Sequence, residues 1–514
     1  GKKAKLFKTE DVNLVKAISE DINYISKYYD ELGRYEYTFK KNKDGYYLSE
    51  ISLDVDTYIS EKRAVAKDEY DRQNKEFADK YLKGAKIEFI SSYAPMIIGE
   101  TTKETINKLE DNEIVDTISL YTNVECYDHG NIDVGVASIE GDYVRDTLGY
   151  KGDGVKVGQI ESGRPQTGVT ELVDTDITRG GTNNNTYHAS LVAAIIAGST
   201  GMAPKAKLYC TTVDNFYQNA EWLISSGVTV INRSNGGDNY GTYDDTAKWV
   251  DHVVNQHNVS WVQSSGNSGP NGYVGSPGNA YNTITVGAID DHGTTSTSDD
   301  TYASFTSYLV GSGMPNKPDV VGFSVSGGET WDGTSFAAPH VTGMIAQMMY
   351  YMPSLKLRPE AIKAAVLASC DRKVTNETLY YITDKEGAGV VNAHNAINAI
   401  YSVANSNTIY DTTDSTIDYY YTPQTSGTKT FALSWIKQNT GSGTNHYSIS
   451  EQSFTDFDLT VYDSAGDYIT SSTSANNIAE LLRFTATANN TYKIRITRYT
   501  NNSTLEKLAL AHVD

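Results

Sequence analysis

The spacing of apolar and polar residues changes character twice along the chain, near residue 129 and again near residue 405. In residues 10–32 the apolar side chains Val15, Ile18, Ile22, Ile25 and Tyr29 recur every three or four positions, which predicts one helix face. A strand-like run at 47–55 follows, then a long charged helical stretch at 58–82 and a strand-like run at 86–92. Next come a short apolar run at 96–99, a helix at 102–109 and a strand at 114–124. The succession β-α-β-β-α-β predicts a small ferredoxin-like α+β domain over residues 1–128.

Between residues 129 and 404, apolar runs of strand length alternate with helical patterns. The strands are expected at 155–160, 207–213, 228–232, 259–264 and 283–288. The helices are expected at 188–197, 217–225, 244–254, 339–350 and 358–368. Such alternation predicts an α/β domain, a mostly parallel sheet with helices on both faces. From 405 to 514 the texture turns to Thr, Asn, Ser, Tyr and Asp with a two-residue period. Phe431, Leu433 and Trp435 alternate with smaller or polar residues, as do Phe457, Leu459 and Val461, and Tyr492, Ile494 and Ile496. One apolar face at period two predicts an antiparallel β-sandwich.

Composition narrows the function classes. A net charge of −21 argues against nucleic-acid binding, which needs a basic surface. No apolar run approaches the length of a membrane span, and no apolar stretch follows Lys2 and Lys3 as a signal peptide would require. Three cysteines, Cys126, Cys210 and Cys370, make no disulfide framework and have no metal-ligand spacing. Cys210 and Cys370 sit in apolar runs and are expected as buried thiols.

The candidate chemistry starts at Gly333-Thr334-Ser335-Phe336-Ala337-Ala338-Pro339-His340-Val341-Thr342-Gly343. Ser335 precedes an apolar helical run, and Pro339 is expected in the first helical turn, where a missing N–H costs nothing. That setting places a hydroxyl at a helix N-terminus, where free N–H groups favour developing negative charge. A general base is needed beside it. His188 opens a second small-residue helical run, closed by Gly198 at an expected C′ position. In Trp261-Val262-Gln263-Ser264-Ser265-Gly266-Asn267-Ser268-Gly269 a strand breaks into a polar turn.

Together these strings resemble the motifs of the subtilisin-like serine proteases, the subtilases. The resemblance implies that Ser335 is the nucleophile, His188 the base and Asn267 an oxyanion donor. The chain departs mildly at Ala189 and Ser190, where the family has glycine and threonine. It departs more at the triad acid. The family carries aspartate at the end of the first core strand; here the string is Val157-Gly158-Gln159-Ile160-Glu161-Ser162-Gly163. Glutamate can orient an imidazole, but its side chain is longer by about 1.5 Å of bond length. Arg164 stands close enough in sequence to compete for it.

Further matches concern binding. Ile231-Asn232-Arg233-Ser234-Asn235-Gly236-Gly237 resembles the family's substrate-pairing strand, so Ser234, Asn235 and Gly236 are expected along one wall of the primary pocket. Ser265 and Gly266 are expected opposite, with Gly275 near the floor. None is acidic, so no carboxylate awaits a basic side chain, and Asn235 makes one wall more polar. The chain is shortened, relative to the family, between Val213 and Glu221, where the resemblance implies a second substrate-pairing strand.

The resemblance extends to the N-terminal domain, which sits where subtilases carry an inhibitory propeptide, ending at 127–133. Val134-Gly135-Val136-Ala137-Ser138-Ile139 then matches the start of the mature enzyme. The 456–463 string, Asp456-Phe457-Asp458-Leu459-Thr460-Val461-Tyr462-Asp463, resembles pre-peptidase C-terminal and jelly-roll modules of secreted proteases. Its alternate acids read as the solvated face of an edge strand. The implied protein is a secreted or cell-surface endopeptidase acting on proteins or peptides, made as a zymogen held by its own propeptide. It needs no cofactor, with calcium open as a structural ion. Alternatives are a catalytically impaired pseudoprotease acting as a binding scaffold and an adhesion or glycan-binding role for the sandwich. A carboxyl protease of the sedolisin family is excluded by His188 and Asn267.

Overall fold

The structure, a computed structural model, describes residues 55–110, 132–292, 294–325, 333–406, 408–440, 455–499 and 505–514, with residues 115 and 118 and the backbone of strands at 27–29, 36–42, 45–52 and 450–451. The expected helix at 10–26, the strand at 114–124 bar two positions, the propeptide junction and Cys126 lie outside the described residues.

The N-terminal region forms β1 (Lys27–Tyr29), β2 (Glu36–Asn42), β3 (Gly45–Ser52), α1 (Val55–Tyr81), β4 (Lys86–Ile90), β5 (Ile97–Glu100) and α2 (Lys103–Glu110). The order of elements from 45 to 110 follows the expectation. Two points differ. Lys27–Tyr29 is a strand, not the end of a helix, because its backbone pairs antiparallel with Glu36–Thr38 of β2. Among the described residues, β1-β2-β3 and β4-β5 are separate sheets, so the strands are not joined in one ferredoxin-like sheet.

This region docks on two helices of the next domain, α5 (Phe216–Ser225) and α6 (Asp245–His257). Arg63, buried, donates from Nη1 to Ile224 O at 2.9 Å and Val228 O at 2.8 Å, and from Nη2 to His257 O at 3.0 Å. Carbonyls at two helix C-termini thereby gain a cationic donor, the favourable sign for the dipole. The Glu221 carboxylate accepts from Ser92 N at 2.9 Å and from Ser91 Oγ, and burial pushes it up to about 7. Tyr93 O meets His257 Nε2 at 3.0 Å.

The central domain carries α3 (Ile132–Ser138), β6 (Lys156–Glu161), β7 (Ile177–Arg179), α4 (Tyr187–Ala197) and β8 (Lys207–Thr212). After α5 come β9 (Val230–Arg233), α6, β10 (Ser260–Ser264), β11 (Ile284–Asp290), β12 (Thr301–Tyr302) and β13 (Val320–Val325). Helices α7 (Thr334–Tyr351), α8 (Pro359–Ser369) and α9 (Ala393–Ser406) complete it. The sheet order is β12-β11-β10-β9-β6-β8-β7, with β13 also on β11, and only β12 runs antiparallel. The strands are almost wholly buried, as a sheet covered on both faces requires. Cys210 and Cys370 are buried free thiols, pushed up to about 12 by burial.

The C-terminal domain is a sandwich of two antiparallel sheets. Its strands are β14 (Ile409–Thr412), β15 (Thr416–Tyr421), β16 (Gly427–Trp435), β17 (Phe457–Tyr462), β18 (Tyr468–Ser472), β19 (Ala479–Ala486), β20 (Tyr492–Arg498) and β21 (Glu506–Val513). The sheets are β14-β21-β16-β19 and β15-β20-β17-β18. All nine alternating apolar residues named from the sequence fall in the core between them.

Candidate active site

Strand β6 lies between β8 and β9: after it the chain builds β7 and β8 on one side, then crosses to build β9, β10 and β11 on the other. Such a switch point opens a crevice at the strand C-termini, where ligands bind in open α/β sheets. Glu161 is the last residue of β6 and is fully buried. Its Oε1 accepts the Ser234 N–H at 3.1 Å, and its Oε2 lies 3.2 Å from His188 Nδ1. Arg164 does not compete: its guanidinium turns to the side-chain oxygens of Asn183 and Asn185.

His188 is the second residue of α4, whose start is held in two ways. Thr186 Oγ1 caps the helix by accepting Ala189 N–H at 3.2 Å. Gln159 of β6 donates from Nε2 to Ala189 O at 2.8 Å, tying the histidine-bearing turn to the strand that ends in Glu161. The ring of His188 packs on Phe336, centroids 5.3 Å apart, so it stands beside the residue after Ser335. Gly198 ends the helix in extended backbone, not the left-handed conformation expected of a C′ glycine. A Cβ there would meet Ala194 O at 2.6 Å; close approach is its reason.

Helix α7 starts at Thr334, earlier than expected, because Asn267 Oδ1 accepts Thr334 N–H at 2.9 Å. Ser335 is thus in the first turn with its N–H at the dipole's positive end. Pro339 consequently sits in the second turn, not the first. Its missing N–H leaves the Ser335 carbonyl without the usual i→i−4 donor. Ser234 Oγ supplies one at 2.7 Å. Ser335 Oγ in turn donates to Ser234 O at 2.9 Å. Asn232 Nδ2 donates to Ser234 Oγ at 2.9 Å and Thr342 Oγ1 to Asn232 Oδ1 at 2.9 Å, extending the network under the serine.

Ser234 therefore joins acid and serine through its N–H, C=O and hydroxyl, a role the sequence did not disclose. The one available signal was the proline four residues after Ser335. Ser234→Ala keeps both backbone groups but strips the hydroxyl from a buried carbonyl. It should lower stability by about 1–3 kcal/mol, read as a smaller urea midpoint with unchanged slope.

Asn267 is fixed by Thr334, whose Oγ1 also donates to Oδ1 at 2.9 Å while accepting Gly266 N–H at 3.1 Å. With Oδ1 occupied, Nδ2 stands beside the turn before the serine, 3.2 Å from where a Gly333 Cβ would be. A side chain at 333 would crowd it.

The expected binding residues separate into two groups. Gly236, Gly266 and Gly275 are half-buried, and Gly275 is wedged so tightly that a Cβ would come 2.5 Å from Gly237 O. Gly237 and Ser276 pair through N–H···O bonds of 3.0 and 2.8 Å. By contrast Ser234, Asn235 and Ser265 are 1%, 4% and 0% exposed, and the Ser234 and Asn235 side chains are hydrogen-bonded inward. Asn235 donates to Ile160 O at 3.1 Å and accepts from Arg233 Nε at 2.8 Å; its amide faces inward. Between Thr212 and Phe216 the chain passes from β8 to α5 without a strand. Among the described residues, no group of three or more His, Cys, Asp or Glu side chains is arranged to hold a metal ion, and no helix is long and apolar enough to cross a membrane.

A mostly parallel sheet with Glu161 beside His188 at its switch point, and the His188 ring packed on Phe336 next to a serine in the first turn of a helix, is the architecture of an α/β serine hydrolase. A family model described as the subtilase family matches residues 168–394, which include His188, Asn267 and Ser335 and begin after Glu161. Subtilisin DY of Bacillus licheniformis is 30% identical over 244 residues, 43% of this chain and 85% of that protein. Subtilisin NAT of Bacillus subtilis subsp. natto is 32% identical over 236 residues, 40% of this chain and 58% of that one. Among solved structures, the prenylagaramide maturation protease PagA is 22% identical with a TM-score of 0.41, over 50% of this chain and 98% of that one. The chain belongs to the subtilase family and is a subtilisin-like serine protease.

Proposed function

We propose that Ser335, His188 and Glu161 form the catalytic triad of this endopeptidase, with glutamate in the place of the family's aspartate. The observation that carries the reading is the two-sided hold on Glu161, one oxygen on the Ser234 N–H and the other 3.2 Å from His188 Nδ1. A carboxylate so placed fixes the imidazole tautomer and stabilises the imidazolium. His188 Nε2 then takes the Ser335 proton as Oγ swings from Ser234 O to attack the peptide carbonyl. The oxyanion is received by the Ser335 N–H and Asn267 Nδ2, and collapse gives the acyl-enzyme that water hydrolyses. Substrates are extended peptides, laid along the glycines at 236, 266 and 275, where backbone can approach closely. A fluorophosphonate probe should label the chain once, and peptide mapping should put the label on Ser335; a label elsewhere overturns the assignment.

Residues 1–128 are proposed as the inhibitory propeptide, 129–404 as the catalytic domain and 405–514 as a C-terminal sandwich of a secreted or cell-surface protein, with no cofactor in the reaction. The docking of α1 and the β4–β5 hairpin on α5 and α6 supports the first assignment, since Arg63 and Glu221 hold it by buried, charge-assisted hydrogen bonds. Self-cleavage would then be intramolecular, an advantage of up to about 7–11 kcal/mol over a bimolecular encounter. Mass spectrometry of the purified protein should find a break between residues 124 and 133 with the N-terminal piece still bound. A single intact species, stable for days at neutral pH, would contradict self-processing.

A further inference from the structure

The two sheets of the sandwich differ in what lies on their outer faces. The β14-β21-β16-β19 sheet turns Ala432, Ala479, Ala509 and Ala511 into the core of the catalytic domain, under α8 and α9. The outer face of β15-β20-β17-β18 has half-buried and exposed side chains. Register sets Tyr420 opposite Lys493, Lys493 opposite Tyr462, and Tyr462 opposite Tyr468. Three tyrosines and one lysine thus form a row across all four strands. Tyr420 and Tyr468 are 65% and 63% exposed, although large aromatic rings normally gain by burial. Lys493 Nζ stands 4.4 Å from the centroid of the Tyr462 ring.

The next rows hold Asp418, Arg495, Thr460 and Ser471, then Thr416, Thr497 and Asp458. Arg495 Nε and Nη2 pair with the two oxygens of Asp418 at 2.6 and 2.7 Å. Tyr468 OH lies 3.1 Å from Ser471 Oγ. No residue of these rows is aliphatic.

We propose that this face is a binding platform for a neutral polysaccharide. A tyrosine ring offers an apolar surface for the C–H face of a sugar ring and a hydroxyl for its rim. With strands about 4.8 Å apart, Tyr420 and Tyr462 stand roughly 10 Å apart, a span that seats linked sugar rings rather than a single one. Thr, Ser, Asp, Lys and Arg beside the row supply both donors and acceptors, matching hydroxyls that do both. Charge selects the ligand further. Lys493 and Arg495 balance Asp418 and Asp458 on the face, while the chain as a whole carries −21 and repels an anionic polymer. A protein partner is disfavoured because, apart from Ile469 beside Tyr468 on the edge strand, the described residues of this face give no aliphatic centre for a protein interface. Bound to a glycan, the protease would act on proteins held in the same matrix at raised effective concentration.

The test uses the full chain in native gels containing soluble β-glucan, xylan, mannan or polygalacturonate, and in sedimentation with chitin and cellulose. At least one neutral polysaccharide should retain the protein. The triple variant Tyr420→Ala/Tyr462→Ala/Tyr468→Ala should bind it at least roughly tenfold more weakly, as loss of three stacking rings implies. Hydrolysis of a short soluble peptide should be unchanged. If the triple variant melts without cooperativity, Tyr420→Ala/Tyr468→Ala, which removes only the two exposed rings, takes its place. Retention by no neutral polysaccharide, equal retention of the variant, or preference for polygalacturonate would each overturn the proposal.

Discussion

Ser335→Ala should reduce peptide hydrolysis on the order of 10⁶-fold, abolish fluorophosphonate labelling and leave the chain intact between residues 124 and 133. The size follows from the way nucleophile and base act as one unit, so that removing either forfeits nearly all of the chemical step. The fold should survive. What Ser335 gives the structure is its carbonyl, the acceptor for Ser234 Oγ, and alanine retains that carbonyl. Only the Oγ hydrogen bond to Ser234 O disappears, and Ser234 N–H stays on Glu161. Native circular dichroism with turnover above the background of the Oγ-less site would mean that another group attacks the substrate.

Glu161→Gln should cost roughly 10⁴-fold in turnover, because the amide cannot stabilise the imidazolium. The more discriminating change is Glu161→Asp, which restores the residue usual in the family. If the backbone around β6 were built for aspartate, activity would rise. The geometry says otherwise: Glu161 is fully buried, meets His188 Nδ1 at 3.2 Å and is anchored by Ser234 N–H at 3.1 Å. Shortening the side chain by about 1.5 Å withdraws the carboxylate from both partners at once. Activity should fall roughly 10²-fold, the scale of an ångström's misplacement in a catalytic group. The loss should appear in kcat more than in KM, since the glycines proposed to receive the peptide are untouched. A gain in kcat would show that the native triad is impaired.

The candidate site was legible in part, and the division follows a physical line. His188, Asn267 and Ser335 each sit at an element boundary marked by local sequence: a capped helix start, a strand breaking into a glycine turn, and a helix opening before a proline. Helix limits at 55–81, 187–197, 216–225 and 359–369 lie within a few residues of those expected, because periodicity and caps are local signals. The roles of Ser234 and Asn235 were not legible. Their resemblance to a substrate-binding strand says nothing of their side chains, which turn inward to Ser335 and Ile160, in segments far away in the chain. Pro339 stands in the second helical turn, not the first, for the same reason. Where helix α7 begins is set by Asn267, a residue of another element.

By itself the sequence determined the kinds of element, the three successive textures, the family and the chemical groups available for catalysis. It also determined which faces of the sandwich strands are apolar, since a period of two allows only one assignment of inside and outside. The tertiary structure alone decided which groups meet. The hold of Glu161 on His188, the donor that replaces the amide missing at Pro339, and the row of Tyr420, Lys493, Tyr462 and Tyr468 all depend on register between segments distant in sequence. Inter-strand register is chosen by the packing of whole sheets on a shared core, and a one-residue slip would reverse every face, so no local pattern could have specified those partners.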